Sequence, residues 1–113
     1  MVEQAKYVAT SPRYEEHLVE VLEYGIETFG YIQARKYFNT IADLVEKLGS
    51  SYSHYPQCRF LATKSRMYRN IILDAHLIVY RITDKRIEVL DIIHSASSIS
   101  KLRSLRKIHL LPT

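Results

Sequence analysis

Cysteine is nearly absent from this chain: Cys58 stands alone in 113 residues, so no internal disulfide can form, which suits a reducing compartment. Long apolar runs are missing as well. No stretch approaches the roughly 18 consecutive apolar residues of a membrane span, and the opening MVEQAKYVATSP has no basic start followed by an apolar signal core. A cytoplasmic protein that does not engage a membrane is therefore expected. With only three glycines there is no Gly-rich phosphate loop, and no nucleophile elbow or Cys-x-x-Cys pair occurs either. His17, His54, His76, His94 and His109 show no metal-ligand spacing with each other or with Cys58, so neither a metal nor a cofactor is expected. No internal repeat or low-complexity tract interrupts the chain.

What is present is enough for one ordinary core. At 47% hydrophobic and 25% charged, residues 1–113 read as a single globular domain. Charge is distributed unevenly. Residues 1–50 carry five Lys/Arg against eight carboxylates, net −3, while residues 51–113 carry eleven against four, net +7. An anionic partner for the second half and a merely solvated basic surface both fit that asymmetry.

A strand is expected at Lys6–Thr10, where Tyr7, Val8 and Thr10 favour extended backbone. Ser11 then reads as an N-cap, Pro12 as the first helical residue, and Glu15 and Glu16 as first-turn carboxylates that complement the helix dipole. The helix that follows has an apolar stripe of Tyr14, Leu18, Val21, Leu22, Gly25, Ile26 and Phe29, stopped by Gly30. A second stripe of Ile32, Ala34, Phe38, Ile41, Ala42, Val45 and Leu48 closes at Gly49. So short a link predicts an antiparallel helix hairpin, with both stripes as core. The polar SSYSHYPQCRFLATKSR reads as a long loop with at most one short extended piece.

Three strands follow, Met67–Leu73, His76–Ile82 and Arg86–His94, broken at hairpin spacing. They form a three-stranded antiparallel meander. A two-residue turn at Asp84-Lys85 pairs Arg81 with Glu88, Val79 with Leu90 and Leu77 with Ile92. A three-residue first turn would place Arg69 opposite Arg81, and a two-residue turn would move it to the other face. The tail SSISKLRSLRKIHLLPT reads as a short C-terminal helix with Ile99, Leu102 and Leu105 apolar and Lys101, Arg103, Arg106 and Lys107 exposed. The class is α+β: N-terminal strand, antiparallel helix hairpin, meander completing one sheet, short last helix.

That order, with VATSP leading into the first helix, YGIETFGYIQARKYF at the hairpin and YRNIILDAHLIVYRITDKRIEVLDIIH in the meander, resembles the RelE/ParE superfamily of toxins from bacterial type II toxin–antitoxin (plasmid stabilization) systems. The resemblance covers nearly the whole chain. Its mRNA-cutting branch implies several basic residues on the concave sheet face, with an arginine and a tyrosine beyond the fourth strand. Cleavage through the 2′-hydroxyl requires a base, a donor to the leaving oxygen and cations around the phosphate. Here Arg69 is present, but Ile71 and Leu77 stand where that branch has lysine and arginine, Ser95 replaces the arginine after His94, and the tyrosine position falls near Lys101. The sequence is thus closer to the ParE-like branch, which poisons DNA gyrase.

The resemblance implies a cognate antitoxin wrapped on the hairpin and sheet as partner, with gyrase as target. Arg69, Arg81, His94, Lys101, Arg103 and Arg106 are then the candidate contacts for antitoxin or target. The alternative is a ribosome-dependent mRNA endonuclease whose shifted basic site is Lys64, Arg66, Arg69, Arg81 and His94, and a third reading is an inactive relic that still binds antitoxin. Each arginine also has a plain structural role open to it, paired with a carboxylate such as Glu88 or lying along the sheet edge.

Overall fold

Ser11 caps the first helix and ties it to the sheet. In the computed structural model, which describes residues 4–112, its backbone is extended and its hydroxyl oxygen accepts from the Tyr14 N–H at 2.9 Å while donating to the Leu90 carbonyl. One side chain therefore satisfies a helix end and fixes where that end sits. Strand β1 (Tyr7–Thr10) precedes it; α1 (Pro12–Phe29) and α2 (Tyr31–Glu46) form the hairpin. Gly30 joins them at φ 89°, a backbone conformation that side chains disfavour.

The second helix stops earlier than its stripe suggests. It ends at Glu46, Lys47 turns the chain, and α3 (Leu48–Ser51) follows, so Gly49 lies inside a helix instead of closing one. Its requirement is close approach: Lys6 N–H donates to the Gly49 carbonyl at 2.8 Å, and a Cβ at Gly49 would collide with the Lys6 carbonyl oxygen. Gly49→Ala should therefore cost about 1–3 kcal/mol by forcing β1 away from α3. Urea unfolding followed by circular dichroism checks this; an unchanged midpoint would mean that β1 shifts freely.

Strands β2 (Tyr68–Ile72), β3 (His76–Ile82) and β4 (Arg86–His94) form the meander, and β1 adds parallel to β4, giving the order β1-β4-β3-β2. The first turn takes two residues: Tyr68 faces Arg81, Arg69 faces Tyr80, and Leu73 N–H donates to the His76 carbonyl. Arg69 and Arg81 thus lie on opposite faces of the sheet. At the second turn Arg81 pairs with Glu88 as expected, but beyond Tyr80–Val89 the register slips, and Val79 faces Asp91 and Leu77 faces Ile93. Leu90 is the extra residue of a β-bulge. The bulge leaves Asp91, fully buried, against α1, with its carboxylate 2.6 Å from His17 Nδ1 and 3.5 Å from Arg13 Nε. Burial pushes the Asp91 carboxyl upward, and the His17 hydrogen bond and nearby Arg13 hold part of that back.

Both faces of the sheet are covered. Tyr14, Ile41, Val45, Leu48 and Tyr52 pack on Ile71, Ile78, Tyr80, Ile87, Val89 and Ile92. On the other face Leu61 from the loop, Leu102 from α4 (Ile99–Ser104) and Leu105 from the 3₁₀ turn after it pack on Tyr68, Val79, Leu90 and Ile93. The long loop is anchored: it contains 3₁₀ turns at Tyr52–His54 and Arg59–Leu61, buries Tyr52, Cys58 and Leu61, and bridges Gln57 to Arg69. No helix among the described residues is long and apolar enough to cross a membrane.

Candidate functional site

The apolar stripes of the hairpin extend further than the fold covers them. Of the α1 stripe only Tyr14 is buried; Phe29 is 67% exposed, and Tyr24 and Ile32 are 65% and 73% exposed. Helical periodicity of this kind demands an apolar neighbour; Val21 and Tyr37 find one in the core and Gly25 packs on Ala34, but Tyr24, Phe29 and Ile32 stay largely exposed. Beside it runs a groove of about 800 Å³, walled by Val21, Tyr24, Phe29 and Ala34 on the hairpin and by Ile92 and Ile93 on β4. Exposed apolar surface concentrated in this way is typical of binding surfaces.

One end of the groove is polar. Tyr37 Oη lies 2.9 Å from His76 Nδ1, and the His76 ring meets the His94 ring edge-on at 5.7 Å between centroids. Burial lowers the His76 pKa below its ordinary value, and His94 beside it lowers it further. Burial likewise raises Tyr37. Lys101 from α4 and His17 from α1 also line the groove. His17 and His76 have no marked spacing in the sequence, and Tyr37 falls outside both apolar stripes. Only the fold brings α1, α2, β3 and β4 together at this point. Among the described residues no three His, Cys, Asp or Glu side chains are grouped to hold a metal ion.

The expected site residues are dispersed. Arg81 is 7% exposed and fully engaged, with Nε and Nη2 each 2.8 Å from Glu88 Oε1 and Nη2 also donating to the Ile108 carbonyl at 2.9 Å. Arg69, on the opposite face, donates to the carbonyls of Arg66 (2.8 Å), Tyr55 (2.8 Å) and Ser53 (3.3 Å), clasping the loop. Arg66 and Lys64 are exposed in that loop, and Arg66 takes a left-handed backbone at φ 55°. Arg103 and Arg106 are exposed on the last helical segment, away from the groove lining, whereas His94 and Lys101 belong to it. His94 pairs with His76, four residues along β3 from Tyr80, the partner of Arg69, which is roughly 13 Å at the rise of a strand. Lys64, Arg66, Arg69, Arg81 and His94 therefore do not converge on one phosphate.

Comparison with known proteins bears on this geometry. The family described as "ParE toxin of type II toxin-antitoxin system, parDE" matches residues 8–99. Among curated proteins, none matches the chain in sequence. Among solved structures, a chain of the "Chromosomal ParDE TA system from P. aeruginosa" superposes with a TM-score of 0.66 at 15% identity, covering 81% of this chain and 98% of that one. At that identity the likeness is one of fold.

Proposed function

The chain belongs to the ParE toxin family of type II toxin–antitoxin systems, and we propose that it acts by binding, as an inhibitor of DNA gyrase silenced by a cognate antitoxin segment seated in the hairpin groove. The observation that carries this reading is the unfinished apolar stripe of α1 and α2 beside an 800 Å³ groove. A disordered antitoxin tail folding there would supply the missing apolar neighbour, in the manner of a helix laid into a groove. An action without bond breaking is supported by the state of the two strand arginines, since Arg69 holds loop carbonyls and Arg81 holds Glu88 and Ile108. Arg81 is buried and held, and Arg69 is half-buried with Nε and Nη1 committed to loop carbonyls.

Purified protein should inhibit gyrase supercoiling of plasmid DNA, and the antitoxin from the adjoining reading frame should relieve the inhibition. Supercoiling unaffected at large molar excess would remove gyrase as the target while leaving family membership intact. Primer extension on message from induced cells separates the other mode of action: new 5′ ends would establish mRNA cleavage, and an unchanged pattern is expected.

A further inference from the structure

We infer that the polar end of the groove is a carboxylate seat, in which His76, His94 and Lys101 hold an acidic side chain of the antitoxin segment. The identity of the occupant rests on the groove being the antitoxin's site; the donor geometry stands independently. Ala96 N–H donates to His94 Nδ1 at 3.1 Å, so the neutral His94 ring carries its proton on Nε2. The Tyr37 hydroxyl lies 2.9 Å from His76 Nδ1. We assign the phenol proton to that bond, which likewise puts the neutral His76 proton on Nε2. Both rings line the groove and both have Nδ1 committed to the protein. Nε2–H is then the ring N–H that neither of these bonds uses.

An apolar segment covering this end would bury two N–H donors and the Lys101 ammonium without acceptors, an unfavourable exchange. The occupant must bring oxygen acceptors. The other charged groups facing the groove balance: Glu20 on α1 and Asp74 in the β2–β3 turn oppose Lys36 on α2 and Lys101 on α4. His17 is bound to the buried Asp91, which also faces Arg13. Protonation of His76 therefore tips the groove positive, and a negative guest fits that state.

The pH dependence has a definite sign. In the free protein His76 is held below its ordinary pKa by burial and by His94; a bound carboxylate favours the charged His76 ring and raises it. The complex then takes up protons that the free protein does not, so affinity increases as pH falls. A shift of one pKa unit gives a tenfold gain only well below the free-protein pKa, so with His76 held below its ordinary value the gain between pH 8 and pH 6 is roughly two- to fivefold.

The test is calorimetric titration of the full chain with the adjoining-frame antitoxin at pH 8 and pH 6. Wild type should bind roughly two- to fivefold more tightly at pH 6, and His76→Gln with His94→Gln, checked for folding by circular dichroism, should lose that dependence. Tight binding that is independent of pH in wild type, or a dependence kept in full by the double variant, overturns the seat and leaves the antitoxin site standing. If the antitoxin does not bind at all, the functional reading fails. The seat is then judged by NMR of the full chain with inorganic phosphate as probe: shifts in the His76 and His94 ring protons support it, and silent rings at millimolar phosphate overturn it.

Discussion

Replacing Glu88 by alanine is expected to cost the fold about 3–5 kcal/mol, the range for stranding buried charge. That is a large share of the roughly 5–15 kcal/mol that holds a typical domain. The Glu88 carboxylate is shared: Arg81 reaches one oxygen at 2.8 Å and Arg86 the other at 2.9 Å, with the three side chains between 9% and 11% exposed. Removing the carboxylate leaves two guanidinium groups facing each other with little water. Arg81→Ala should cost less, because Glu88 keeps Arg86. Burial alone would lower the Arg81 pKa, but the Tyr68 and Glu88 hydrogen bonds and the Glu88 charge more than offset it, so Arg81 stays charged.

The same cluster fastens the end of the chain. Arg81 donates to the Ile108 carbonyl at 2.9 Å and Arg86 to the Leu110 carbonyl at 3.3 Å. Glu88→Ala should therefore loosen the tail even at denaturant concentrations where the sheet survives. Urea unfolding ranks the variants, and hydrogen exchange over residues 105–112 reads the tail. Equal or greater loss in Arg81→Ala would mean that Tyr68 and the tail, not the carboxylate, dominate the energetics of this arginine.

The Arg81–Glu88 contact was legible in the sequence because it sits two residues beyond a tight turn, where the pairing sum has little room to drift. Farther along, the sum fails at Leu90, since a bulge inserts one residue without leaving the β-rich composition. Helix starts were legible at Ser11 and Pro12 for a local reason: the cap is made by residues within one turn. Gly49 shows the reverse. Its partner is Lys6, far away in the chain, and a glycine near a helix end resembles a stop signal whether or not it is one. The groove was beyond sequence reading, because His17, Tyr37, His76 and His94 come from four separate elements. Even the stripe on α1 misled in one respect: periodicity reveals that an apolar neighbour is required, and is silent on whether the neighbour belongs to the same chain.

That last ambiguity yields the second large effect. Tyr24→Glu combined with Phe29→Glu should leave the free fold within about 0.5 kcal/mol of wild type, as exposed positions usually do, while antitoxin affinity falls by roughly a hundred- to a thousandfold. Both rings are about two-thirds exposed and both wall the groove. Burying each under a partner is worth about 1.5–3 kcal/mol, and every 1.4 kcal/mol is a factor of about ten in affinity. The new carboxylates would also stand near Glu20, Glu23 and Glu27 of α1, adding repulsion against any acidic guest. In cells the consequence is a toxin that escapes its antidote, so growth arrest should persist when antitoxin is co-expressed with the double variant. Tyr24→Phe, which keeps the ring, should be neutralised normally. If the double variant is fully folded and still silenced at wild-type antitoxin levels, the antitoxin does not depend on this groove, and the exposed half of the hairpin must serve another partner.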